Sequence, residues 1–337
     1  MRKWLLLVVI ALMSMFVLAA CGDDNDASTD EANDTEDSGE TDGETYVVGA
    51  TQIVEHPSLD EAYKGFQEAL EDAGLNVEYD YQNAQNDQNN VKTISDNFAA
   101  DDVDLIFANS TPSALGALNA TSDIPILFTS VTDAVDAGLV ESMDEPGDNI
   151  TGVVDLHPDA IESTIDFIDE NFEGATVGLI YNAGEANSVA QIDAVNEAAE
   201  GTSVKLSERT VSNSAEVQQA ASTLAGDVDV FYIVTDNTVV SALDVVVGEA
   251  NEQQIPLVVG ETESLEKGGF MTFGINYHTI GYDTGEMAVE ILTGEKTTSD
   301  LPVEYPSEIQ LFINKDAAEK QGVEWDDAWD EEAEFIE

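Results

Sequence analysis

Basic side chains are scarce in this 337-residue chain: 10 Lys and Arg stand against 70 Asp and Glu, a formal net charge of −60. Nucleic acids are held through basic footprints on their phosphates, so this balance excludes a nucleic-acid partner. Cysteine is nearly absent. The single thiol, Cys21, allows neither an intrachain disulfide nor a thiolate metal site. Enzyme signatures are missing as well: there is no G-x-S-x-G, no H-E-x-x-H, no Walker loop and no G-x-G-x-x-G, and no cofactor is expected. The many carboxylates permit the acid pair of glycoside cleavage, but in a chain this acidic such pairs arise by chance. What remains is ample apolar material, 43% of the residues, enough for a packed core and unlike a disordered acidic tail. The length suits two domains, or two lobes of one α/β unit.

One long apolar run stands at the start. Arg2 and Lys3 precede Trp4 to Val17, and Leu18-Ala-Ala-Cys21 follows, which reads as a secretory signal over residues 1–20. Cys21 falls where a bacterial lipoprotein signal places the thiol that becomes diacylated; a chance thiol behind a plain signal peptide is the alternative. Two acyl chains anchor stably, so the expected location is the extracellular face of the cytoplasmic membrane, lipid-anchored. Residues 21–44 are acidic, small and polar and read as an extended, disordered tether. From Thr45 onward 59 acids still face 8 cations. Like-charge density of this order is screened at molar salt, where the Debye length is about 3 Å, so a high-salt habitat is expected; an ordinary acidic extracellular protein is the bland alternative.

Beyond Thr45 short apolar runs alternate with helix-period segments, the pattern of parallel sheets covered on both faces. The alternation occurs twice. Tyr46–Ala50, Leu75–Tyr81, Asp104–Ala108 and Pro125–Phe128 read as strands of a first set, and Val177–Tyr181, Ser203–Glu208, Val228–Val234 and Pro256–Val259 as strands of a second. Asn109-Ser-Thr-Pro-Ser113 in the first set corresponds to Thr235-Asp-Asn-Thr238 in the second. The fold class is therefore α/β, two Rossmann-like lobes with parallel sheets and a ligand cleft between them. The expected division is 45–155 for lobe 1, with 276–305 returning to it, and 156–275 for lobe 2, with 306–337 returning to it. Trp325 to Glu337 reads as a packed C-terminal tail.

Ligands of open α/β sheets bind beyond the carboxyl ends of the strands, which directs attention to four loops. Ser110 and Thr111 precede Pro112 at a helix start, where free amides and the helix dipole favour an anion; a plain N-cap fits them equally. Asp236, with Asn237 beside it, opens the facing helix, as a cap or as the receptor of a ligand ammonium. Asn182, Glu185 and Asn187 are contact candidates in the loop from Tyr181 to Ser188, a plain helix cap being the alternative for Asn187 or Ser188. Gln52, Glu55 and His56 occupy the fourth loop, His56 being either a packing residue or a contact. Phe128, Thr129, Thr132 and Asp133 follow a strand end on the cleft wall, though Phe128 suits the core as well. Phe128, Tyr181 and Tyr277 are aromatics that could stack on a flat ligand.

The residues Thr51-Gln-Ile-Val-Glu-His-Pro57, Leu127-Phe-Thr-Ser-Val-Thr-Asp133, Asn149-Ile-Thr-Gly152, Tyr181-Asn-Ala-Gly-Glu-Ala-Asn-Ser188 and Thr235-Asp-Asn-Thr-Val239 resemble the ABC-transporter substrate-binding family that includes the TrpX-like proteins. The likeness covers nearly all of Thr45 to Val323. It implies a type I periplasmic-binding-protein fold and delivery of a small solute, an aromatic amino acid such as tryptophan in several members, to ABC permease subunits by a monomeric receptor without enzymatic activity. Carried onto this chain, Ser110 and Thr111 would hold the ligand carboxylate and Asp236 the ammonium, with Gln52, Asn182, Glu185 and Asn237 completing the contacts. Ala134 departs from the pattern, since relatives often have proline there. A ligand-sensing module serving a signalling partner is the rival reading.

Overall fold

The computed structural model describes residues 45–336; the expected signal peptide, Cys21 and the tether lie outside the described residues. Lobe 1 opens with β1 (Thr45–Gln52), α1 (Pro57–Asp72), β2 (Asn76–Asn83), α2 (Gln88–Asp101), β3 (Leu105–Asn109), α3 (Thr111–Ala120), β4 (Ile126–Val131) and β5 (Ile150–Val154). Its five strands lie in the order β2-β1-β3-β4-β5 and all pair in parallel. Such strands are buried on both faces and read as unbroken apolar runs, as Leu105-Ile-Phe-Ala108 does. Ile106 packs with Phe98 and Phe128 on one face, Leu105 and Phe107 with Phe66 on the other.

The chain then passes to the second lobe through α4 (Ala160–Asn171), β6 (Thr176–Tyr181), α5 (Ala186–Ala198), β7 (Lys205–Thr210), α6 (Val217–Leu224), β8 (Val230–Ile233), α7 (Asn237–Val240), α8 (Leu243–Gln253), β9 (Leu257–Val259), α9 (Thr262–Glu266) and β10 (Met271–Gly274). It crosses back as α10 (Tyr277–Leu292) and returns once more as β11 (Gln310–Asn314), α11 (Lys315–Lys320), α12 (Trp329–Glu332) and β12 (Glu334–Ile336). The second sheet runs β12-β11-β10-β9-β8-β6-β7, parallel except for the antiparallel β10–β11 pair. Trp325 and Trp329 pack edge to face with centroids 5.2 Å apart, so the C-terminal tail is part of the lobe 2 core.

α10 belongs to lobe 1 because of glycine. A Cβ on Gly281 would stand 1.9 Å from the carbonyl oxygen of Ala62, and one on Gly65 would stand 2.0 Å from that of His278. The two helix backbones touch, which only residues without a side chain allow. On leaving α10 the chain is pinned to β5, where Glu304 N donates to Gly152 O at 3.0 Å and Val154 N to Glu304 O at 2.9 Å. Three crossings between the lobes follow from this path: after β5, before α10, and before β11.

Candidate functional site

Strand order brings the carboxyl ends of β1, β3 and β4 to one rim of the cleft and those of β6, β8 and β9 to the facing rim. The rims meet. Ser58, in the first turn of α1, donates to the carboxylate of Glu261 and lies 2.9 Å from Glu263 Oε2. Asn86 Nδ2 donates to Thr238 Oγ1 at 3.1 Å, and Gln191 Nε2 to Thr132 Oγ1 at 3.4 Å. The lobes are thus closed on each other.

Between them lies a small enclosed cavity. Lobe 1 lines it with His56, Leu59, Ser130, Thr132 and Asp155, lobe 2 with Asn187, Thr235, Asn237, Val240 and Glu261, and Tyr277 stands at the crossing. The charged side chains in this set are acidic apart from His56. Three lining residues hold buried polar atoms without a hydrogen-bond partner in the protein, Ser130 Oγ, Asp155 Oδ1 and Asn187 Oδ1, and His56 Nε2 has only the poorly aligned Glu261 Oε1 at 3.3 Å. Thr111 Oγ1 and Thr129 Oγ1 are buried and unpartnered as well. Native proteins leave few such groups, and a concentration of them at one cleft makes it the candidate site for a polar guest.

The backbone carries strain at the same rim. Ser110 has φ +134° and Ser130 φ +54°, values that side-chain-bearing residues seldom adopt and that gather at functional sites. Ser130 sits at the register shift between β4 and β5, which turns its hydroxyl out of the strand alternation.

Burial governs the electrostatics. Asp155 accepts from the Tyr277 hydroxyl at 3.0 Å, yet desolvation pushes its carboxyl up to about 6. Desolvation holds the His56 imidazole below its ordinary value, against the pull of Glu261 3.3 Å away, which favours the neutral ring. A neutral histidine between carboxylates leaves the cavity acidic, and a cationic group on the guest is favoured there.

The sequence-predicted residues fall into three groups. His56, Asn187 and Asn237 line the cavity, and Ser110, Thr111 and Thr129 are buried at the α3 end of the same rim. Ser110 serves as the N-cap of α3, its Oγ accepting from Ser113 N at 3.3 Å. Asn182, Glu185 and Asp236 form a network inside lobe 2: Asp236 accepts from Asn182 N, Ser188 Oγ and Val239 N, and Glu185 accepts from the amides and side chains of Asn237 and Thr238. Gln52 is tied within lobe 1 to Val54, Asp60 and Asn109, and Phe128 is fully buried in the core against α2 and α3.

Sequence reasoning passed over Asp155 and Glu261, and also Leu59, Ser130, Thr235 and Val240. The first two follow strand ends, after Val153-Val154 and Val258-Val259-Gly260, and the rule that selected the other loops would have selected them. In a chain with 70 acids no single carboxylate draws notice.

The model of the family described as ABC transporter substrate binding protein matches residues 47–335. The chain belongs to that family. Its members are solute-binding proteins rather than enzymes, and this substrate-binding protein is accordingly extracytoplasmic, with a small solute and a permease as its partners. Its fold is that of the type I periplasmic binding proteins. A curated relative, a tyrosine-binding protein of Clostridioides difficile, is 40% identical over 94% of this chain and 91% of its own length. A Streptococcus pneumonia structure in complex with L-Trp is 30% identical and superposes with a TM-score of 0.83 over 87% of this chain and 100% of that one. A ligand-free, open substrate-binding protein from Clostridium difficile is 41% identical but reaches only 0.65, over 87% and 99%. That structure is described as open, whereas the lobes of this substrate-binding protein are in contact. Among the described residues no helix is long and apolar enough to cross a membrane.

Proposed function

We propose that this protein captures an aromatic amino acid, tyrosine or tryptophan, by closing its two lobes around it and presents it to an ABC permease. The observation that carries the reading is the closed, acidic cavity, whose unpartnered polar atoms come from both rims. Contacts that exist only when the rims meet make the solute select the closed state. The relatives' ligands, tyrosine and L-Trp, supply the class.

Within the cavity the ligand ammonium rests on Asp155, whose Oδ1 has no protein partner, with Glu261 nearby. The carboxylate is received by Ser130, Thr111 and Thr129 and by the amides at the start of α3. His56, Asn187 and Asn237 contact the ligand, while Leu59, Val240 and Tyr277 supply apolar surface for its ring. Asp236, Glu185 and Asn182 hold the lobe 2 wall in shape, Gln52 and Ser110 do the same for lobe 1, and Phe128 backs it from the core. The protein acts as a monomer, held to the membrane by acyl chains on Cys21, in a saline habitat that screens its acidic surface. Calorimetric titration with the twenty amino acids in molar salt tests the reading: heat is expected from tyrosine or tryptophan, and silence from all aromatic amino acids would sink it.

A further inference from the structure

Beside the cavity, the first turn of α1 meets the corner between β9 and α9, and there the lobes are joined through acids. Ser58 Oγ lies within hydrogen-bond distance of Glu261 Oε2 and 2.9 Å from Glu263 Oε2. A hydroxyl has one hydrogen to donate. Once it is given to Glu261, a full hydrogen bond with Glu263 requires that carboxyl to carry a proton and donate it back, the alternative being one hydrogen shared between two carboxylates.

The surroundings offer no other neutraliser. Glu261 Oε1 accepts from Ser264 and faces the His56 imidazole, and Glu263 Oε2 accepts from Thr262 Oγ1 at 2.9 Å. Asp60 and Lys267 act on His56 from farther off, and Glu261 adds its charge to the fields at Asp155 and Tyr277. Among the described residues no lysine or arginine pairs with Glu261 or Glu263.

We propose that closing the lobes takes up one proton, held on Glu263 and donated to Ser58, so that Glu263 is a positioning residue that couples solute capture to pH. The inference rests on the ligand-driven closure proposed above. Burial, then the neighbouring Glu261, pushes the Glu263 carboxyl up to about 7. With the lobes apart it faces water and returns toward about 4.3, the ordinary value. The sign follows from linkage: closure is unhindered below about pH 4.3, grows harder as pH rises, and levels off above about 7. His56 works in the opposite sense, because closure keeps its ring neutral and sheds a proton below about pH 6.5. The coupling is therefore read as a difference between wild type and a variant.

Titrate the folded protein with L-tyrosine and L-tryptophan in molar salt at pH 6.0, in two buffers of different ionisation enthalpy, and repeat the affinity measurement at pH 5.5 and 7.0. Wild type is expected to take up nearly one proton more per ligand than Glu263→Gln, and to lose about tenfold more affinity across that pH interval. Equal proton uptake in wild type and Glu263→Gln would overturn the inference. Absence of heat from either ligand in wild type would instead overturn the reading on which it rests.

Discussion

The backbone amide of Asn182 donates to the carboxylate of Asp236 at 2.6 Å, and the same oxygen accepts from the Ser188 hydroxyl at 2.7 Å. Asp236 Oδ1 accepts from Val239 N at 2.7 Å as the cap of α7. The carboxylate thus ties the ends of β6 and β8 to each other and to two helices, which shapes the wall of the cleft from within one lobe.

Asp236→Ala therefore acts first on the scaffold. It leaves two buried donors and a hydroxyl without their acceptor, at roughly 1–3 kcal/mol for each group that water does not reach. We expect a stability loss of about 2–4 kcal/mol in denaturant titration, with tyrosine and its des-amino analogue weakened equally. A selective loss for tyrosine would instead make Asp236 the ammonium receptor.

Asp155→Asn is expected to act on the ligand. It keeps the shape of the side chain and the link to Tyr277 but removes the charge, so it should weaken tyrosine by about tenfold to a hundredfold, the worth of one charge-assisted contact, and barely affect the des-amino analogue. Calorimetry with the two compounds checks it.

Stability of the ligand-free protein should fall as pH rises. Asp155 and Asp236 are pushed up to about 6 by burial, whereas in the unfolded chain an aspartate titrates near about 3.9. A raised carboxyl contributes fully below the unfolded value and loses its contribution as pH passes the folded one, so the window runs from about pH 4 to 6. Melting curves in constant molar salt should show this fall, and a shallower one in Asp155→Asn.

Gly281→Ala tests the seam between α1 and α10. The added Cβ meets the Ala62 carbonyl at 1.9 Å, a backbone atom that cannot swing aside, so the helices must separate. A loss of about 2–3 kcal/mol or more is expected in denaturant titration.

Salt is the last variable. With a formal charge of −60, dilution from molar salt lengthens the Debye distance from about 3 to about 10 Å at 0.1 M. The melting temperature should drop by at least about 5 °C, equivalent to roughly 1–2 kcal/mol; an unchanged value would contradict the saline habitat.

Much of the fold was legible because parallel strands write themselves as apolar runs such as Leu105-Ile-Phe-Ala108 and Val230-Phe-Tyr-Ile233. The strands left unread were short: β5 spans five residues, β10 four and β12 three. Loops at strand ends led to His56, Asn187 and Asn237. They also led to Gln52 and Glu185, whose polar atoms bond within their own lobes.

The sequence by itself determined the doubled βα pattern, the acidic composition and the family, since all three reside in composition, periodicity and ordered motifs. Only the tertiary structure decided which carboxylates line the cavity. Asp155, Asp236 and Glu261 are alike as letters, each following a strand, and they part company through burial and through which amides reach them first. Those are relations between segments far apart in the chain, and no local pattern contains them.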